Sequence, residues 1–229
     1  MTQYDHLLGY IPDLSSRRIL DLGSGYGSFL IEATKRGIRA CGIERSSGFI
    51  DAAKESAKLA GVLIDIRSGM AESIPFDDQS FDFVNVCEVI EHVDDPDKVL
   101  SEMYRVLDVG GMAYVSVPNR YCFLDPHFHL YFVNWLPRSF SDVFISIFGN
   151  HKDYERDIGK ERLKDLYYAT FKGAKRKAES HGFKVEDMRL IKISKKFPNP
   201  IIRFLVRLLY FPARFLYLNS CHLLLTKQK

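Results

Sequence analysis

Only four of the 229 residues are cysteine, and Cys41, Cys87, Cys122 and Cys221 stand far apart with no C-x-x-C pair among them. That spacing excludes a disulfide framework and a cysteine-rich zinc centre, and it suits a reducing compartment. Cys41 and Cys87 sit inside apolar runs, where a thiol behaves as a small core residue. No uncharged apolar run reaches the length of a bilayer span. The opening "MTQYDHLLGYIPDLSSRR" lacks a basic stretch followed by an apolar one, so no secretory leader is expected and the chain is assigned to the cytoplasm. Strong net charge is also missing, at +3 overall. The balance is uneven, however: from Lys184 to Lys229 ten lysines or arginines face two acids. A basic tail on a slightly acidic body points to an anionic surface, either lipid headgroups or nucleic acid.

What the chain does have is alternation. "RRILDLG", "IRACGIE", "VLIDIRSG", "FDFVNVCEVI" and "MAYVSVP" are strand-like apolar runs. Between them "SFLIEATKRG", "SGFIDAAKESAKLAG" and "PDKVLSEMYRVLDVGG" have helical spacing and end at glycine. This pattern predicts βαβ units and a Rossmann-like α/β fold, a doubly wound, mostly parallel sheet covered on both faces. The alternation breaks after Pro118. Residues 119–168 are rich in aromatics, histidine and proline, and are expected to form a lid or cap inserted after the fifth strand. "TFKGAKRKAESHGF" returns to a helix, with Thr170 as N-cap and Gly182 as stop. "KVEDMRLIKIS" and "CHLLLTKQK" complete seven strands, so that residues 1–229 make one domain.

The densest local signal is "DLGSGYG", where Gly23, Gly25 and Gly27 follow the first strand and Asp21 precedes them. A glycine turn there lets backbone approach a ligand closely, because no Cβ intervenes. In an open parallel sheet that turn lies at the ligand-binding crevice. Glu44 falls at the end of the second strand, where a carboxylate can accept both hydroxyls of a ribose. The combination is a nucleoside site. The dinucleotide fingerprint requires a third glycine where Ser28 stands, so that reading fits less well.

Together with "GMAESIPF", "CEVIEHV" and the "PN" closing the fifth strand, the stretch from Ile19 to Asn119 resembles the class I S-adenosylmethionine-dependent methyltransferases. The pattern is most similar to the small-molecule branch that includes the ubiquinone-biosynthesis O-methyltransferases. The resemblance implies S-adenosylmethionine as cofactor. It implies that Asp21, Gly23, Ser24, Gly25 and Gly27 hold its methionine end, and that Glu44 and Arg45 meet the ribose. Met70, Ala71 and Glu72 would flank adenine, with Cys87 and Glu88 beneath the sulfonium. Met70 stands where many relatives carry aspartate, leaving Glu72 or backbone to hold the adenine amino group. On the acceptor side the expected residues are Glu91, Asn119, His127 and His129.

Transfer to a hydroxyl benefits from a base, and His92, just after the central strand and titrating near neutrality, is the candidate. Asp125, His127 and His129 alternate, so in an extended segment they would share one face. Glu88, Glu91 and His92 together could favour a divalent ion or a cationic substrate; without a second ligand cluster the lid residues line an acceptor pocket, and no metal is expected.

Residues 197–219 form a basic, apolar insertion before the last strand. Its arginines Arg203, Arg207 and Arg214 fall on one helical face and Phe204, Leu205, Leu208, Leu209 and Phe215 on the other, with Pro212 expected to break the helix. Such a helix either lies in a membrane interface or packs on the protein with its arginines solvated. The reaction expected is methyl transfer to an oxygen of a small or lipid-linked acceptor. A nucleic-acid, for example RNA, methyltransferase fits less well, because "EHVDDP" replaces the "NPPY"-like loop that grips a flipped base. A cofactor-binding regulatory module without turnover is the third alternative.

Overall fold

The structure, a computed structural model, describes residues 3–11, 13–148, 162–216 and 219–228. Residues 149–161 of the expected lid and 217–218 of the expected insertion lie outside the described residues. The chain runs through α1 (Gln3–Leu8), β1 (Ile19–Leu22), α2 (Ser28–Lys35), β2 (Ala40–Glu44), α3 (Ser47–Leu59) and β3 (Asp65–Ser68). There follow β4 (Phe81–Val86), α4 (Pro96–Val106), β5 (Leu107–Pro118) and α5 (Arg138–Phe148). The last elements are α6 (Phe171–Ser180), β6 (Phe183–Asp187), α7 (Met188–Lys196), α8 (Pro200–Leu216) and β7 (Ser220–Lys227).

The seven strands form one sheet in the order β3-β2-β1-β4-β5-β7-β6. The first five are parallel, and β7 enters antiparallel between β5 and β6. This is the Rossmann-like, mostly parallel sheet predicted from the alternation. β1 and β4 are mostly apolar and buried along nearly their whole length because helices cover both of their faces, with Asp21 and Asn85 the buried polar exceptions. On one face α4 contributes Val99, Leu100 and Met103 and α6 contributes Ala174 and Ala178 to a core with Leu20, Val84 and Val115. On the other, Tyr4 and Leu7 of α1, Phe29 and Ala33 of α2, and Met188 of α7 pack with Ile19, Phe83 and Leu224. The switch in strand order between β1 and β4 opens a crevice at their carboxyl ends.

Local chemistry sets the helix starts. The Ser46 hydroxyl accepts from the Phe49 amide to cap α3. The Asp95 carboxylate accepts from the Asp97 and Lys98 amides ahead of Pro96 to cap α4. Thr170 caps α6 as predicted, accepting from the Gly173 amide, and Gly182 follows its end with φ +87°.

Three boundaries differ from the sequence expectation. α4 stops at Val106 rather than at the glycines, because Leu107 is already extended and pairs with Phe81 at the start of β5. β4 ends at Val86, which leaves Cys87 and Glu88 in the following turn. "KVEDMRLIKIS" is strand only as far as Asp187. The Asp187 carboxylate accepts from the Arg189 amide and starts α7, turning Met188 and Ile191 into the core where alternation had suggested a continuing strand.

Pro212 does not break α8, which runs from Pro200 to Leu216; a proline there removes one backbone hydrogen bond and the remaining turns persist. The orientation of α8 also departs from a solvated arginine stripe. Arg207 donates to Ser194 Oγ (2.7 Å). Arg214 and Tyr210 both donate to Asp187 Oδ2 (3.2 and 2.7 Å). The Arg214 guanidinium also covers the Phe171 ring at 4.4 Å. The polar face therefore pins the helix inward. Phe204 (65% exposed), Leu205, Leu208 and Leu209 (73%) face outward. No helix among the described residues is long and apolar enough to cross a membrane.

Candidate active site

Above the β1–β4 switch lies a cavity of about 340 Å³. Gly23, Gly25, Glu44, Arg45, Met70, Ala71, Glu72, Cys87, Glu88 and His92 line it, ten residues singled out from the sequence. The glycine turn is shaped for close approach. Gly23 (φ +73°) is closed off, since a Cβ there would fall 2.3 Å from Val89 Cγ2. Gly25 (φ +49°) faces open space, where a Cβ would meet nothing within 4 Å.

Glu44 is the pivot of the cavity. Its side chain is buried at the end of β2, and its carboxylate is bound at both oxygens by backbone, Oε2 to the Gly25 amide and Oε1 to the Ser46 amide, each at 3.0 Å. Each carboxylate oxygen has two acceptor sites, so one remains on each for an outside donor such as a ribose hydroxyl. A cavity of this size, a glycine turn with an open approach at Gly25 and a fixed carboxylate fit an adenosyl group.

Other predicted residues stand behind the cavity wall. Asp21 pairs in register with Gly42 on β2 and Asn85 on β4. Its Oδ1 accepts from Asn85 Nδ2 at 2.6 Å, and burial raises its pKa to about 6 against the lowering effect of its hydrogen bonds. Asn85 Oδ1 in turn accepts from Gln3 Nε2 of α1 (3.1 Å). Ser24 donates to the Asp21 carbonyl, and Gly27 packs on Ala53 and Ile64. These three shape the turn without lining the cavity.

A second, smaller cavity of about 50 Å³ is lined by Glu88, Glu91, Ser116, Pro118, Pro126, His127 and Ser220. Glu88 borders both cavities; it has φ +56° and its amide donates to Ser116 Oγ. A non-glycine residue held in that region is a strained position of the kind found at functional sites. Glu91 is fully buried, and His92 and His127 converge on its Oε1 through their Nε2 atoms at 4.0 and 3.8 Å.

Asp125, His127 and His129 do not share a face, because the segment turns instead of extending. The Asp125 carboxylate accepts from the His127 and Phe128 amides and from Asn134 Nδ2, which makes it the buried anchor of that turn. His129, at φ +55°, is turned out to solvent. Asn119 is buried as a hub: its amide donates to the Asn219 carbonyl, its Nδ2 to the Arg214 carbonyl, and its Oδ1 accepts from Tyr121. It lines neither cavity. The sequence reasoning missed Tyr26 and Phe49, whose rings meet edge to face at 4.9 Å over the rim, and Val89, Val93 and Asp94 on either side of His92. An aromatic inside "GSGYG" was the available signal for the first of these.

Residues 20–115 match the family model described as "Methyltransferase domain". The chain is 29% identical over 171 residues to a ubiquinone biosynthesis O-methyltransferase of Ruegeria pomeroyi, which covers 72% of this chain and 63% of that protein. It is 34% identical over 141 residues to a protein of the same description from Azorhizobium caulinodans, covering 59% and 54%. The chain thus spans less than two thirds of the length of these curated relatives. Among solved structures, an S-adenosylmethionine-dependent methyltransferase of Methanosarcina mazei superposes with a TM-score of 0.63 at 19% identity, covering 100% of this chain and 99% of that one. Sequence pattern, family match and shared architecture agree: residues 20–115 match the methyltransferase-domain model, and the sheet has the class I fold of S-adenosylmethionine-dependent enzymes.

Proposed function

We propose that the protein transfers a methyl group to an oxygen of a small or lipid-linked acceptor. S-adenosylmethionine would supply a methyl on a sulfonium, which is open to in-line displacement. The observation that carries the reading is the convergence of His92 and His127 on buried Glu91, where the cofactor cavity meets the second cavity. A hydroxyl held there has a proton acceptor at hand in His92, the member of the cluster that lines the larger cavity. The C–O bond forms from the oxygen lone pair, the C–S electron pair leaves with sulfur, and the hydroxyl proton passes to His92. Glu91 and His127 orient the acceptor, and the described residues of the expected lid, 119–148 and 162–168, flank it. Holding the nucleophile in line is the protein's main contribution, and such positioning supplies roughly 7–11 kcal/mol of a barrier of this kind. Glu44 and the glycine turn hold the nucleoside, with Asp21 keeping that turn in shape from behind.

The test is direct. The protein is incubated with S-adenosylmethionine and a panel of phenolic, catechol and alcohol acceptors, and S-adenosylhomocysteine release is followed. Acceptor-dependent release is expected for a hydroxyl acceptor. Release stimulated only by RNA, or binding of the nucleoside with no turnover on any acceptor, would reject it.

The outward apolar face of α8 favours a lipid-linked acceptor presented at an anionic membrane. Two of the three arginines that would make this a solvated surface helix, Arg207 and Arg214, are engaged by Ser194 and Asp187. What remains outside is an apolar strip flanked by Lys196 and Arg203, in the most basic part of the chain. Insertion of Phe204, Leu205, Leu208 and Leu209 at the acyl boundary, at about 1.5–3 kcal/mol each for full burial, is enough to hold a protein on a bilayer. The chain is expected to float with vesicles containing anionic lipid at low salt, and a Phe204→Asp, Leu208→Asp variant to stay behind. Since both side chains are exposed, that variant should keep its fold. Wild-type protein remaining at the bottom of the gradient would remove the membrane from the reading.

A further inference from the structure

The Glu91, His92 and His127 cluster is two imidazoles and one carboxylate, drawn from the turn after β4 and from the segment after β5. One ligating atom from each lies within 4.8 Å of the other two. The rings of His92 and His127 meet edge to face with centroids 5.3 Å apart, so neither blocks the other's Nε2. The proton inventory on the far side of His127 is informative. Its Nδ1 lies 2.7 Å from the Tyr168 hydroxyl, and that hydroxyl is also hydrogen-bonded to the Asp125 carboxylate. A carboxylate only accepts, so the phenol donates to Asp125 and its oxygen accepts from the His127 Nδ1–H. In the neutral ring this leaves the Nε2 lone pair facing Glu91 Oε1 at 3.8 Å, one acceptor opposite another.

We infer that Glu91, His92 and His127 form a binding site for a divalent transition-metal cation of the zinc or manganese class, at the junction of the two cavities. The donor set suits that class: two imidazoles with one carboxylate, three protein ligands and an open position, as in catalytic zinc centres. Metal–ligand bonds of about 2.0–2.2 Å place ligand atoms roughly 3.3 Å apart, so the cluster needs only a small contraction through side-chain rotation. The Asp125–Tyr168–His127 chain is the outer shell that fixes a ligand histidine's tautomer and ring plane. Glu91 and His92 are legible in the sequence beside Glu88, but His127 is not legible as their partner, because it lies 36 positions from Glu91 and its own spacing leads to His129, which faces solvent.

The inference deepens the acceptor-site reading and rests on it for its use. A cation there lowers the pKa of a hydroxyl it touches. The O–H proton then passes to solvent, the oxygen forms the new C–O bond, and His92 serves as ligand instead of base. Binding itself can be measured apart from turnover. Protein treated with a chelator and exchanged into metal-free buffer is titrated with Zn²⁺ by calorimetry and with Co²⁺ by visible absorbance. One equivalent per chain is expected, with Co²⁺ giving the intense bands of a low-symmetry site. Glu91→Gln and His127→Ala should each weaken binding at least tenfold. Melting curves and S-adenosylhomocysteine affinity serve as fold controls, since neither residue lines the cofactor cavity. No saturable binding to the wild type, or binding unchanged in both variants, overturns the site. Cofactor binding without metal binding would leave the methyltransferase reading standing and remove this one alone.

Discussion

Replacing Glu44 by alanine is expected to weaken S-adenosylhomocysteine binding by at least about 100-fold, with the fold retained. A hydrogen bond to a charged group contributes about 1.5–3 kcal/mol, so losing two from a ribose diol corresponds to two to four powers of ten in Kd. The carboxylate also ties the Gly25 and Ser46 amides together, so its loss loosens the glycine turn and the entry to α3 at once. Glutamine does not rescue. Both oxygens of Glu44 accept a backbone N–H, and an amide group must set its NH₂ against one of those two donors whichever way it is flipped. Glu44→Gln is therefore expected to lose at least tenfold, while Glu72→Gln, whose partner is the Asp94 amide at the outer rim, should lose less. Calorimetry on the three variants checks the order. An alanine variant that binds within threefold of the wild type would detach the cavity from the nucleoside altogether.

The half of the site that was legible in the sequence is the half built from local chain. A glycine turn, an acid at the end of the next strand and a turn after the fourth strand all gather at one end of a parallel sheet once the βαβ order is known, because topology alone brings strand ends together. Glu44, Gly25, Met70 and His92 meet around one cavity for that reason. The fold was legible on the same grounds, with helix caps such as Thr170 visible three residues ahead of the amide they bind. Where the reading failed, competing local chemistry decided. Asp187 could close a strand or open a helix, and its side chain bonded to the Arg189 amide opens α7.

The acceptor half depends on long-range contacts that periodicity does not encode. Asp125 reads as sharing an acceptor-lining face with His127 and His129, yet a buried aspartate accepting two successive amides makes a turn, and the turn separates the histidines. Asn119 reads as a substrate contact at the end of β5, but there its amide and its Nδ2 donate to the Asn219 and Arg214 carbonyls, which consumes those groups. The helical wheel of α8 correctly separates arginines from apolar residues, and it cannot say which side faces in. Asp187, buried at the end of β6, decides that by drawing Arg214 and Tyr210 to itself. An ordinary amphipathic helix is thereby mounted with its greasy side to the outside.

His92→Ala is expected to lower kcat by about 10²–10⁴ while leaving S-adenosylhomocysteine affinity within about threefold, the range general acid–base catalysis supplies. The split follows from position. His92 borders the cofactor cavity without contributing to the Glu44 and glycine-turn contacts, and its Nε2 faces Glu91, away from them. A residue that merely packed the loop would instead move stability and cofactor affinity together. The pH profile separates proton transfer from ligation. If His92 takes the proton, wild-type kcat rises with pH through the histidine range, and the variant loses that limb even after chelation. If His92 is a ligand, chelation alone flattens wild-type activity to the level of the variant, and added Zn²⁺ restores the wild type but not His92→Ala. Turnover of the variant within threefold of the wild type, with metal and without, would place proton removal elsewhere and leave the Glu91 cluster without a part in the chemistry.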